Sequence, residues 1–244
     1  MKNVSVLFTF LTALLWTTFC VAAELKPSVI PEEEEEGIAG EADQISDPLE
    51  KFNRAMFTFN DKVYYYALKP TAKGYKAVVP EQARISVRKV FTNVAMPIRF
   101  TNCVLQGKMK GAGVEASRFV INTTVGILGL FDPAKSYCKM NPYDEDFDQT
   151  LGYYCMDPGF FIVWPFLGPS SARGIVGTVG DYLVDPLTYL LPEWPDYLGV
   201  RIYQVVNQTS LSIGDYEDLT EAAIDPYVAL RNAYFQYRKN KVAK

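Results

Sequence analysis

The sequence predicts a mainly α-helical body, and three observations carry that expectation. Apolar residues recur at 3–4 spacing in separate stretches along the chain. No sustained alternating segment or regularly spaced hairpin turn competes with them. Pro, Gly and Asp fall where helices start and stop.

Asp47 is placed to cap the first helix, with Pro48 in its first turn and Glu50 just inside. Phe52, Met56, Phe59, Val63 and Tyr66 then form one apolar stripe up to Pro70. Pro80-Glu81 opens a second helix through Ile85, Val87, Val90 and Phe91, ending before Pro97. A third is expected from Pro97 past Phe100 and Leu105 to Gly107, and a fourth over about 113–127 through Val114, Phe119, Ile121 and Val125. Two more are expected near the end. One spans about 199–213 through Ile202, Val205 and Val206; the other, 226–239, aligns Tyr227, Leu230, Tyr234 and Tyr237. Residues 142–198, crowded with Pro, Gly and aromatics, read as an irregular segment. The uncharged runs 158–172 and 119–131 are shorter than the ~20 residues a membrane-crossing helix needs. They suit a membrane interface, a cavity lining or a buried strand equally.

The ends are of different material. Residues 1–23 carry Lys2, an uncharged apolar run and the small residues Val21-Ala22-Ala23, the pattern of a secretory signal peptide. Cys20 closes the apolar run and is a possible lipidation site, although Phe19 precedes it where a small residue is usual; cleavage after Ala23 is the alternative. Residues 24–46 form an acidic linker with Pro27, Pro31 and Glu32 to Glu36, expected to stay disordered through self-repulsion. The domain proper is 47–244. The formal charge of −4 comes from 24 basic and 28 acidic residues, with the excess acid in the linker.

The chain has 0 histidines, which excludes Ser-His-Asp and Cys-His catalysis, His-ligated zinc and histidine pH switching. It has no nucleophile elbow, P-loop or dinucleotide fingerprint, and no cofactor is implied. Asp144, Asp146 and Asp148 resemble the start of a calcium loop, but Gln149 and Cys155 stand where glycine and glutamate are needed, so no metal is assigned. An exported chain without a strong basic cluster argues against nucleic acid. Export favours disulfides, and Cys138 with Cys155 is the preferred pair, three free thiols being the alternative. The 16 Tyr, 15 Phe and 3 Trp suit either a membrane interface or an aromatic core.

Several blocks, in order, resemble one family. Residues 47–61, DPLEKFNRAMFTFND, are similar to the opening of the VacJ/MlaA family. Leu105-Gln106-Gly107 and Arg118 to Gly126 resemble its middle helices; Glu145 to Tyr153 and Trp164 to Ser170 resemble its most recognisable block. Asp225-Pro226-Tyr227 through Arg238 is similar to its last helix.

The resemblance implies a ring-like bundle of amphipathic helices within the inner half of the outer membrane, on the periplasmic side of a Gram-negative envelope. It implies a non-enzymatic outer-membrane lipoprotein that removes misplaced phospholipids from the outer leaflet. These would pass to a soluble, MlaC-like periplasmic carrier, with a trimeric porin holding the ring in place. Phe52, Asn53, Arg54, Phe59 and Asn60 match the family's first helix, and Gly152, Pro165, Gly168, Pro169 and Arg173 its Gly/Pro-rich segment; these are the lipid-conduit candidates. A structural or host-interaction envelope protein is the alternative, and a histidine-free lipid hydrolase a more distant one.

Overall fold

The computed structural model describes residues 47–243. The expected signal peptide, the expected linker and the possible lipidation site Cys20 lie outside them. The first helix, α1 (Glu50–Val63), runs through a π-helical turn (Tyr64–Leu68) directly into α2 (Lys69–Val78). Pro70 therefore does not end it. The Lys69 N–H reaches back to Tyr64 O, and this wider turn accommodates a proline that can neither donate a bond nor tolerate a normal preceding turn.

Helices α3 (Glu81–Val94), α4 (Met96–Leu105) and α5 (Met109–Thr124) follow, then a short α6 (Pro133–Ser136). The segment expected to be irregular contains α7 (Phe147–Tyr153), a hairpin of β1 (Phe161–Trp164) and β2 (Gly168–Ser171), α8 (Ala172–Val184) and α9 (Pro186–Leu190). The chain ends with α10 (Trp194–Leu211), α11 (Asp215–Glu221) and α12 (Pro226–Val242). Side chains of Asp132, Asp146, Ser171, Asp185 and Asp225 accept backbone N–H bonds at the starts of α6, α7, α8, α9 and α12. Asp47 has another job. Its carboxylate accepts from Asn53 Nδ2 and Tyr227 Oη, pinning the approach to α1 onto α12.

Packing closes a circuit. The hairpin lies on α1 and α12; α2 lies on α10, α10 on α3, α3 on α4, and α4 on α7 and α8, while α7 returns to α12. The small apolar core sits at one point of this ring. Phe161 and Val163, on one face of β1, pack with Tyr227 and Tyr234 of α12, flanked by Met56 and Phe57. The expected face of α12 is thus buried. The expected stripe of α1 is only partly so: Phe52, Phe59 and Tyr66 are exposed, while Met56 turns inward together with Asn53, Phe57, Asn60 and Tyr64.

Among the described residues, buried polar side chains outnumber buried apolar ones by about two to one, while large apolar side chains are exposed around the perimeter. A globular protein sorts its residues the other way. Val120, Val125, Ile127, Leu128 and Phe131 in and after α5, with Tyr189 and Leu190 of α9 and Trp194 at the start of α10, are examples of this exposed apolar surface. No helix among the described residues is long and apolar enough to cross a membrane.

Candidate functional site

The ring encloses a chamber of about 800 Å³. Four helices line it with the same pattern. Arg88, Phe91 and Thr92 come from α3 and Ala95 from its C-cap; Gly174, Gly177, Thr178 and Asp181 come from α8. Gln204, Asn207, Gln208 and Leu211 come from α10; Tyr234, Tyr237, Arg238 and Lys241 from α12. Each set has spacing 0, 3, 4, 7, one face of an α-helix. Here that face is mostly polar. A second cavity of about 370 Å³ shares Arg88, Thr92, Arg99 and Pro142 with it. An apolar crevice of about 70 Å³ behind Ser212 and Asp215 adjoins it, between Phe57, Tyr64, Val163 and Tyr216.

The chamber's charges are mostly paired. Arg99 Nε donates to Glu115 Oε2 at 2.8 Å. Arg238 reaches Asp146 Oδ2 at 2.8 Å and Asp148 Oδ2 at 2.5 Å, and Lys241 Nζ lies 2.5 Å from Asp144 Oδ2. Arg173, behind the wall, donates from Nε to Asp148 Oδ1 at 2.7 Å and from a terminal nitrogen to Met156 O at 2.8 Å. Burial pushes the Asp146 carboxyl up, and the nearby charges of Arg238 and Lys241 more than reverse this, holding it below the usual range. The aspartates of the calcium-like run thus serve as a helix cap and as partners for cations. A close approach makes this possible. A Cβ on Gly177 would stand 2.7 Å from the backbone nitrogen of Asp148, so only glycine lets α7 lie this near α8.

Asp181 behaves differently. Burial, and then the negative charge of Asp146, push its carboxyl from 3.8 up to about 8, although its Oδ1 accepts from Asn102 Nδ2 and Phe147 N at 3.0 Å each. A carboxyl raised on folding contributes stability fully present below its unfolded pKa and lost as pH rises through the folded one. Stability from this group therefore falls between about pH 4 and 8. Asp181→Asn removes that loss. The variant is expected to exceed the wild type by ~2 kcal/mol or more at pH 8, roughly 4–8 °C in melting temperature, with a smaller margin at pH 5. A margin independent of pH in thermal unfolding would contradict this assignment.

The ten sequence candidates lie elsewhere, since none lines the large chamber. Most of them converge on the hairpin and its anchors. Asn53, fully buried, donates from Nδ2 to Phe161 O at 3.1 Å and accepts from Val163 N–H at 2.8 Å. Asn60 donates to Trp164 O at 2.8 Å and accepts from Phe166 N–H at 2.6 Å, holding the turn that contains Pro165. Phe59 meets the Phe166 ring edge-on at 5.0 Å. Gly168 has φ +83°, Pro169 is buried beside it in β2, and both border the small crevice with Asn60. Arg54 pairs with Glu50 and Asp225 and covers the Tyr227 ring. Phe52 is exposed, and Gly152 allows Val242 and Arg173 to approach. Arg173, as above, holds Asp148.

Cys138 and Cys155 are exposed free thiols. The stretch between them is tied down: Tyr143 N–H binds Glu115, and Asp144 and Asp146 pair with Lys241 and Arg238. Cys103 is buried, and burial pushes its thiol up to about 11, where it stays protonated.

Comparison with known proteins resolves the kinship. The model of the MlaA lipoprotein family matches residues 45–241. The chain belongs to the MlaA lipoprotein family. An intermembrane phospholipid transport system lipoprotein MlaA of Haemophilus influenzae is 33% identical over 204 residues, covering 81% of this chain and 79% of that one. The protein of that name from Escherichia coli K12 is 32% identical over 196 residues, covering 78% and 76%. An uncharacterized protein of Rickettsia conorii is 34% identical over 201 residues, covering 82% and 79%. A solved chain from work on the structural basis for maintenance of bacterial outer membrane lipid asymmetry superposes with a TM-score of 0.71 at 31% identity, over 81% of this chain and 99% of that one. The mainly α fold is therefore shared with that solved chain.

Proposed function

We propose that this chain removes misplaced phospholipid from the outer leaflet of the outer membrane and passes it toward a soluble periplasmic carrier, without a catalytic step. The observation that carries the reading is the inverted sorting of side chains: a chamber of about 800 Å³ lined mostly by polar and charged residues, inside a ring that exposes large apolar residues elsewhere. An apolar surface of that kind is stable within one leaflet of a bilayer, where apolar side chains need no burial against protein. A polar interior gives a headgroup hydrogen-bonding partners in place of water, which lowers the penalty of bringing it through an apolar layer. The names of the family's transport-system members support the substrate class. A trimeric porin is the proposed outer-membrane partner, and an MlaC-like carrier the proposed acceptor.

Outer-leaflet phospholipid, read with a membrane-impermeant headgroup label, tests this. Deleting the gene should raise the labelled fraction, and restoring the wild-type gene should return it to baseline. An unchanged fraction alongside weakened envelopes would displace transport in favour of a structural role.

A further inference from the structure

We propose that Arg88 is a phosphate-binding residue of the chamber, where its guanidinium takes the anionic phosphodiester of a phospholipid headgroup. The ligand's identity rests on the transport reading above; the site itself rests on geometry.

Four cations line the chamber, and three have carboxylate partners: Arg99 with Glu115, Arg238 with Asp146 and Asp148, and Lys241 with Asp144. Among the described residues, Arg88 has none. It is exposed, it belongs to the chamber wall, and it stands where the larger and smaller cavities share a boundary. Its surroundings can be placed from contacts on either side. Arg84, one turn earlier, donates to Ser210 O at 2.6 Å, and Phe91, one turn later, meets the Tyr203 ring at 6.3 Å. Helices α3 and α10 are therefore antiparallel, with Arg88 level with Gln204 and Asn207. Those two residues, Gln208 and Thr92 all face the same chamber and carry no charge.

The buried cation of α3 is accounted for. Arg84 is met by the carbonyls of Val79 and Ser210, the latter at the negative end of the α10 dipole. A free arginine fork beside neutral amide and hydroxyl groups suits a phosphate, which accepts two parallel N–H bonds from guanidinium and further bonds from amides. It does not suit a cation, and a neutral ligand would leave its charge unmatched. The site's position at the junction of the two cavities also puts the bound anion on any path between them.

Binding of radiolabelled dihexanoyl-phosphatidylglycerol to the purified full chain in detergent tests the site, with inorganic phosphate and dihexanoylglycerol as competitors. Arg88→Gln should weaken binding at least tenfold, and Arg88→Lys, which keeps the charge but loses the fork, by about threefold. Lys110→Gln, which removes an exposed charge elsewhere, should leave binding unchanged. The glycerol analogue without phosphate should fail to compete. Binding within twofold of wild type for Arg88→Gln would overturn the assignment, as would an equal loss in Lys110→Gln. Inorganic phosphate competing as well as the lipid would overturn the headgroup source in favour of a free-phosphate site. Melting temperature should be unchanged in Arg88→Gln, because no carboxylate depends on it. The two readings fail separately. If gene deletion exposes no phospholipid while Arg88→Gln still weakens binding, the transport reading falls and the site stands. If deletion exposes phospholipid and Arg88→Gln binds and complements fully, the site falls and transport stands.

Discussion

Replacing Asp148 with alanine is expected to destabilise the body by about 3–5 kcal/mol, the range for removing one member of a buried ion pair. Asp148 is only 2% exposed and serves two guanidinium groups at once, Arg173 at 2.7 Å and Arg238 at 2.5 Å. The consequences for the two differ. Arg238 keeps Asp146, so its charge remains matched. Arg173 loses its one carboxylate among the described residues and keeps only the Met156 carbonyl, in a site where its side chain is 6% exposed. Most of the loss therefore falls on Arg173. Adding Arg173→Met to Asp148→Ala should recover a substantial part of it, because an apolar side chain needs no partner there. Thermal unfolding in detergent reads both variants, with a fall on the order of 10 °C expected for the single one. A loss below ~1 kcal/mol would mean that chamber water solvates the freed guanidinium and that the pair is not effectively buried.

That network shows where sequence reading succeeds in this protein and where it stops. The cap on α7 went unread, although Asp146 and Gln149 have the spacing of a reciprocal capping pair. The partners were not legible: Arg238 and Lys241 lie about ninety residues away, and only the fold brings them to the DEDFD run. Helix α12 was read correctly from its aromatic spacing, since its apolar face does pack on the hairpin. Helix α1 was misread by the same rule. The rule takes the apolar stripe to point inward, and in a ring with an apolar perimeter Phe52 and Phe59 point out while Asn53 and Asn60 do the docking. The chamber was missed for a related reason. Its signal is a polar stripe, such as Gln204, Asn207 and Gln208, and that pattern usually marks a solvated face. Helix α8 was hidden by its glycines. Gly174, Gly177 and Gly180 read as loop, whereas Gly177 and Gly180 admit Asp148 and Phe147 of the crossing helix.

Asn53→Ala is expected to lower stability by about 2–4 kcal/mol, whereas Asn60→Ala should lower it by ~1 kcal/mol. Both asparagines do the same work, using one amide to hold two backbone groups of the hairpin, so burial decides between them. Asn53 is 0% exposed, and its loss leaves the Val163 N–H and the Phe161 carbonyl without that partner in a dry site. Asn60 serves a turn whose Phe166 is exposed, where water can take over both bonds. Neither residue lines the chamber, so a transport defect should follow protein abundance. Outer-leaflet labelling normalised to the amount of folded protein separates the cases. For Asn53→Ala the defect should vanish on normalisation, and for Asn60→Ala it should be small before it. A defect that persists at wild-type abundance and stability would give Asn53 a part in the conduit itself, with the hairpin it holds acting on the lipid path rather than merely framing it.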